Sequence, residues 1–126
     1  MMGLFGKIFK RQPPKKEPEA YYDIIITDKH LTVEHPERKT ERINWNDIDE
    51  IAIITTDEGP FLPDVWLVLI GKDGGCSLPQ GAPKYEDVFN VISTYEGFNF
   101  EEYIQSASCT QHARFELWKR KAENTS

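Results

Sequence analysis

The apolar positions of this chain change their period once, near its middle, and the change divides the expected strands from the expected helices. In the first half the period is two. Tyr22–Thr27 is a β-branched run, and in His30–His35 Leu31 and Val33 alternate with Thr32 and Glu34. Thr40–Trp45 follows, with Ile43 and Trp45 on one face and Arg42 and Asn44 on the other. Asp28-Lys29 and Pro36–Lys39 read as turns between these runs, so the three form an antiparallel meander with one solvated face. Asn46–Asp49 predicts a brief helical turn or bend. Glu50–Thr56 is a fourth strand whose nearly continuous apolar character implies burial on both faces. Asp57–Asp64 contains two prolines and a glycine and must be a loop. Val65–Ile70, the most apolar run, is expected at the centre of a sheet. Lys72–Gly75 then supplies the glycines that a hairpin with positive φ requires, and Cys76–Leu78 returns to end at Pro79.

Beyond Pro83 the period lengthens. Tyr85, Val88, Phe89, Ile92 and Tyr95 recur at three and four, which predicts a helix stopped by Gly97. Asn99 is placed to cap a second helix, with Phe100, Tyr103 and Ile104 expected on its inner face. Glu101 and Glu102 fall in its first turn, where the helix dipole favours acid. From Ala113 to Leu117 apolar and charged residues alternate again. That suggests a last strand, although Phe115 and Trp118 at i, i+3 also fit a helix. The expected class is α+β: a mainly antiparallel sheet of about six or seven strands, packed with two helices in the C-terminal half.

Residues 1–18 stand apart from this pattern. Met1, Leu4, Phe5, Ile8 and Phe9 recur at helical spacing with Lys7, Lys10 and Arg11 on the other side, and Gln12–Pro18 is a proline-rich linker. The expected organisation is therefore this basic amphipathic segment, a single domain over 19–120, and a polar tail over 121–126. The formal charge divides the same way. Residues 1–16 carry five basic residues and no acid, so the chain's −6 leaves −11 for the remainder. Nucleic-acid affinity comes chiefly from Lys and Arg displacing counterions, so a domain this acidic argues against it. A protein with a basic surface is the natural complement.

Catalytic and metal signatures are sparse. Cys76 follows a hairpin glycine with no histidine near it in sequence, which reads as a small buried hydrophobe. Cys109 and His112 stand three apart, but a zinc site needs three or four ligands. Neither Gly59–Pro63 nor Gly74-Gly75 leads into the Lys-Ser/Thr helix of a phosphate loop. No cofactor is implied. The acidic residues Asp47, Asp49, Asp57, Glu58 and Asp64 gather around the fourth strand and the loop after it, and they read as a solvated rim for a partner. Phe61, flanked by prolines, suits either a contact point in that rim or a cover for the sheet. Leu4, Phe5, Lys7, Ile8, Phe9, Lys10 and Arg11 could lie on an anionic membrane surface, though one short helix is a weak anchor. No run of apolar residues is long enough to span a bilayer, and no secretory h-region opens the chain; the expected location is the cytoplasm, with contact at the inner membrane surface as the variant.

Two resemblances add to this reading. Arg42-Ile43-Asn44-Trp45-Asn46-Asp47-Ile48-Asp49-Glu50-Ile51, after two short strands, resembles the early sheet of bacterial PH-like domains. The second half departs from that pattern, with two helices and a strand in place of further strands and one closing helix. The stretch from Thr55 through Asp64–Leu69 and Gly74–Pro79, ending in Ser108-Cys109-Thr110 and Phe115–Trp118, is similar to a group of small uncharacterised bacterial proteins. Small acidic chains of that kind often serve as immunity proteins, which implies a non-enzymatic role in neutralising a cationic toxin. The PH-like resemblance implies instead a scaffolding module at a membrane surface.

Overall fold

The structure, a computed structural model, describes residues 21–57, 65–109 and 111–121. Its order is β1 (Asp23–Ile26), β2 (His30–His35), β3 (Arg38–Asn44), a 3-10 turn (Trp45–Asp47), β4 (Ile48–Thr55), β5 (Val65–Gly71), β6 (Gly74–Pro79), α1 (Tyr85–Ile92), α2 (Phe100–Ala107) and β7 (Ala113–Lys119). The strands form two antiparallel sheets, β1-β2-β3 and β6-β5-β4-β7. With two helices in the C-terminal half, the class is α+β, and β7 is a strand. Among the described residues no helix is long and apolar enough to cross a membrane.

The two sheets share one core. Leu31 and Val33 of β2, Ile51 and Ile53 of β4, and Leu67 and Leu69 of β5 are all essentially inaccessible and belong to one cluster. The β3 and β6 edges are tied together by side chains. Arg38 donates to the Ser77 hydroxyl at 3.2 Å and to the Tyr22 hydroxyl, while the Ser77 N–H donates to Glu41 Oε1 at 2.9 Å. The Arg38 guanidinium also lies over the Tyr22 and Trp66 rings, 5.6 Å from each centroid. A carboxylate thus occupies a backbone donor of β6 that a neighbouring strand would otherwise take.

Several local expectations hold. Ile51, Ala52 and Ile53 are buried in succession, as a strand covered on both faces requires. The positive φ of the β5–β6 hairpin falls on Gly74, at +133°. Gly75 is constrained by space instead, since a Cβ there would stand 2.0 Å from the Leu69 carbonyl oxygen.

The helices differ from expectation in two respects. α1 ends at Ile92, and Tyr95 lies beyond it, where its hydroxyl donates to the Trp45 carbonyl at 2.9 Å. Gly97, at φ +91°, turns the chain in the loop after the helix rather than at its end. The inner face of α2 is not the one the spacing suggests. Tyr103 is partly buried, but Phe100 is 52% exposed and Ile104 68% exposed. The physical reason is the anchoring of this helix. Its start is fixed by the Asn99 N–H donating to Leu117 O at 2.7 Å, and Ser106 is its one buried residue. Tyr103 occupies the place beside Phe89, with ring centroids 4.6 Å apart, and this turns Phe100 and Ile104 outward.

Candidate interaction surface

The acids around β4 do not form one free rim. Asp49 accepts from Arg120 Nε at 3.0 Å, Glu50 is paired with Arg114, and Asp47 accepts from Asn44 Nδ2 at 3.1 Å. The two arginines come from β7 and the residue just past it, more than sixty positions along the chain, and reach β4 because β7 is its antiparallel neighbour. Asp47 and Asp49 also line an open depression of about 780 Å³ together with Arg42, Lys72, Lys119 and Arg120. That surface is of mixed charge. Arg120 is committed there, donating to the Asn46 and Ile48 carbonyls as well as to Asp49.

Asp57 is exposed and lies past the opposite end of β4. Ile48 pairs with Gly71 and Thr55 with Val65, so the strand separates Asp57 from Asp47 by roughly 25 Å. The structure therefore does not bring Asp47 and Asp49 together with Asp57. Glu58, Phe61 and Asp64 lie outside the described residues, as do Leu4, Phe5, Lys7, Ile8, Phe9, Lys10 and Arg11.

The cysteines differ in setting. Cys76 is buried and donates to the Leu31 carbonyl at 3.8 Å; burial first, and the Glu41 carboxylate second, push its thiol up to about 12. A thiol so shifted is protonated at neutral pH and is a poor nucleophile. Cys109 sits just past the end of α2, half-buried, where it accepts from the Thr55 hydroxyl at 3.6 Å and donates to Gln111 O at 3.5 Å. His112 is exposed. Among the described residues no group of three or more His, Cys, Asp and Glu side chains is placed to hold a metal ion.

The surface that stands out is on α2. Phe100, Ile104 and Ala107 recur at i, i+4 and i+7, and all three are exposed, so they form one apolar stripe along the helix. Single exposed apolar residues are ordinary, but this stripe adjoins the core, since Phe100 packs on the buried Phe98. The Phe100 ring lies 4.8 Å from that of Phe98, which is 5.7 Å from Phe89. One acid flanks the stripe: Glu101 is exposed and stands about 60° round the helix from Ile104, whereas Glu102 falls on the opposite side, about 160° away. The Tyr85 and Tyr103 hydroxyls stand 3.5 Å apart, and burial, followed by this contact, raises the Tyr85 pKa.

Sequence reasoning identified Phe100 and Ile104 but placed them inside. Local spacing held no signal against that placement, because Phe100, Tyr103 and Ile104 cover about 100° of the helix, an ordinary width for a core-facing stripe. Comparison with protein-family models, with curated proteins and with solved structures finds no match for this chain.

Proposed function

We propose that the domain is a non-enzymatic protein-binding module, and that its working surface is the α2 stripe of Phe100, Ile104 and Ala107 with Glu101 beside it. The observation that supports this is the exposure of Phe100 and Ile104, one turn apart on a helix whose first turn is acidic. The partner is a protein segment with an apolar face and a basic flank, since apolar contact supplies affinity and Glu101, with the net acidity of the domain, selects the charge. A cationic toxin carrying such a segment would fit this face, which is the immunity-type form of the reading. A membrane-surface role gains nothing from α2, because Glu101 and Glu102 oppose anionic lipid.

The test uses three synthetic amphipathic peptides with the same leucine positions and with lysine, glutamine or glutamate at the polar ones. Titrated into the 15N-labelled full chain, the lysine peptide is expected to shift the resonances of residues 100–107, the glutamine peptide to shift them less, and the glutamate peptide not at all. Equal binding of all three, or shifts confined to other surfaces, would overturn the reading.

A further inference from the structure

A second surface has the opposite sign and does not depend on the α2 reading. We infer that two adjoining depressions on either side of Arg120 form a docking site for a short acidic protein segment that carries an aromatic side chain. The first depression, at the β5–β6 hairpin, is lined by five basic side chains and three acids, a local excess of two positive charges on a chain that is acidic overall. Two of those acids are already engaged, Asp49 with Arg120 and Asp47 with Asn44. Among the described residues no carboxylate pairs with Arg42, Lys72, Lys119 or Lys121. Arg42 Nε donates to the uncharged Thr32 hydroxyl at 3.1 Å, so its charge is not cancelled there.

Strand pairing brings these cations together. Ile70 of β5 and Lys119 of β7 both pair with Glu50 of β4, so the hairpin bearing Lys72 and the end of β7 stand two strand spacings apart, about 10 Å. A Cβ on Gly71 would stand 2.8 Å from the Asp47 carbonyl oxygen and 3.1 Å from Ile43 Cδ1, which sets the end of β3, with Arg42, against the same hairpin. The second depression, of about 680 Å³, shares Asn46, Lys119, Arg120 and Lys121 with the first and adds the rings of Tyr95 and Trp118, 4.9 Å apart. Among the described residues Glu96 is the one acid lining it. The Tyr95 hydroxyl and the Trp118 indole N–H are spent on the Trp45 and Glu96 carbonyls, at 2.9 Å each, so the rings offer apolar surface. Arg120 is fixed between the two depressions by the Asn46 and Ile48 carbonyls, with its guanidinium 5.8 Å from the Trp118 ring centroid. Trp, Tyr and Arg are the side chains that dominate binding energy at protein interfaces. Small-molecule sites are concave and mainly apolar, whereas this one is open and charged, which favours a peptide. Nucleic acid or an anionic membrane extends past the site and sets its charge against the surrounding acid; a short segment does not.

The test titrates the 15N-labelled full chain with a short peptide of one phenylalanine between two pairs of aspartates. Shifts are expected at residues 42–49, 71–74, 95–97 and 118–121, with binding about tenfold weaker when salt rises from about 0.05 M to about 0.5 M. A similar loss is expected in the full chain carrying Lys72→Gln, Lys119→Gln and Lys121→Gln, all exposed positions, with a melting temperature within a few degrees of the wild type. Alanine in place of the peptide's phenylalanine is expected to weaken binding severalfold. Equal binding of a peptide with asparagine for aspartate, or unchanged affinity in the triple variant, would overturn the proposal. Equal binding of the alanine and phenylalanine peptides would overturn it too, by removing the aromatic half of the site. A DNA oligonucleotide or anionic vesicles that bind the same residues more tightly than the peptide would assign a different partner and overturn it as well. The lysine peptide reports on residues 100–107 separately, so either surface can fail and leave the other standing.

Discussion

α1 and α2 are each eight residues long and each begins with two acids in its first turn, yet they are used in opposite ways. α1 turns Tyr85, Val88 and Ile92 into the core shared by the two sheets. α2 buries only Ser106, holds Tyr103 against Phe89, and leaves Phe100 and Ile104 in solvent. Their starts also differ. Asn99 caps α2 by accepting from the Glu102 N–H at 3.0 Å, whereas Lys84 precedes α1 at φ +66° with no side-chain cap. A helix sealed by packing tolerates a poor start, and a helix held mainly by its ends needs a good one. An apolar pattern therefore says which residues share a helix face, while the neighbours decide whether that face is covered.

The largest expected effect breaks this contrast at its strongest point. Ile92→Ala removes a fully buried side chain and is expected to cost about 3 kcal/mol in urea unfolding, against less than about 0.5 kcal/mol for Ile104→Ala. Comparable losses at the two positions would contradict the assignment of faces. Next comes the cap: Asn99→Ala is expected to lose about 1 kcal/mol and to speed amide exchange in the first turn of α2 while leaving α1 unchanged. Smaller again, and of opposite sign, Lys84→Gly relieves a left-handed backbone and is expected to raise stability by roughly 0.5 kcal/mol.

The cysteines sharpen the same contrast through reactivity. At mildly alkaline pH a thiol reagent is expected to label Cys109, beside α2, well before Cys76, which becomes accessible only on unfolding. The sign of the pH effect follows from the raised Cys76 pKa. Folded protein keeps this proton while unfolded chain loses it above about pH 9, so the group's contribution to stability is constant below pH 9 and falls between 9 and about 12. Stability that rises over that range in the wild type relative to Cys76→Ala would contradict the buried setting.

Much of the fold was legible because its signals are local. The period-two runs placed the strands, the Gly74-Gly75 pair placed the hairpin, and Asn99 placed the cap of α2. The candidate surface was less legible because its determinants are distant. The acids of β4 are clustered in sequence, but Arg114 and Arg120 arrive from the far end of the chain through strand pairing, and no local pattern announces them. Phe100 and Ile104 carry an ordinary amphipathic spacing. Their exposure follows from where Tyr103 and the Asn99–Leu117 bond set the helix, which is tertiary information.

The central claim, that α2 offers a binding face while α1 serves the core, is tested most directly by one paired measurement on the variant Phe100→Ser, Ile104→Ser in the full chain. The expected melting temperature is within a few degrees of the wild type, since a stability change of less than ~1 kcal/mol shifts it only about that far. The expected affinity for the leucine–lysine peptide is at least about tenfold lower. Unchanged peptide affinity in a normally folded variant would contradict the claim, and so would a large fall in melting temperature, which would show that the two side chains belong to the core after all.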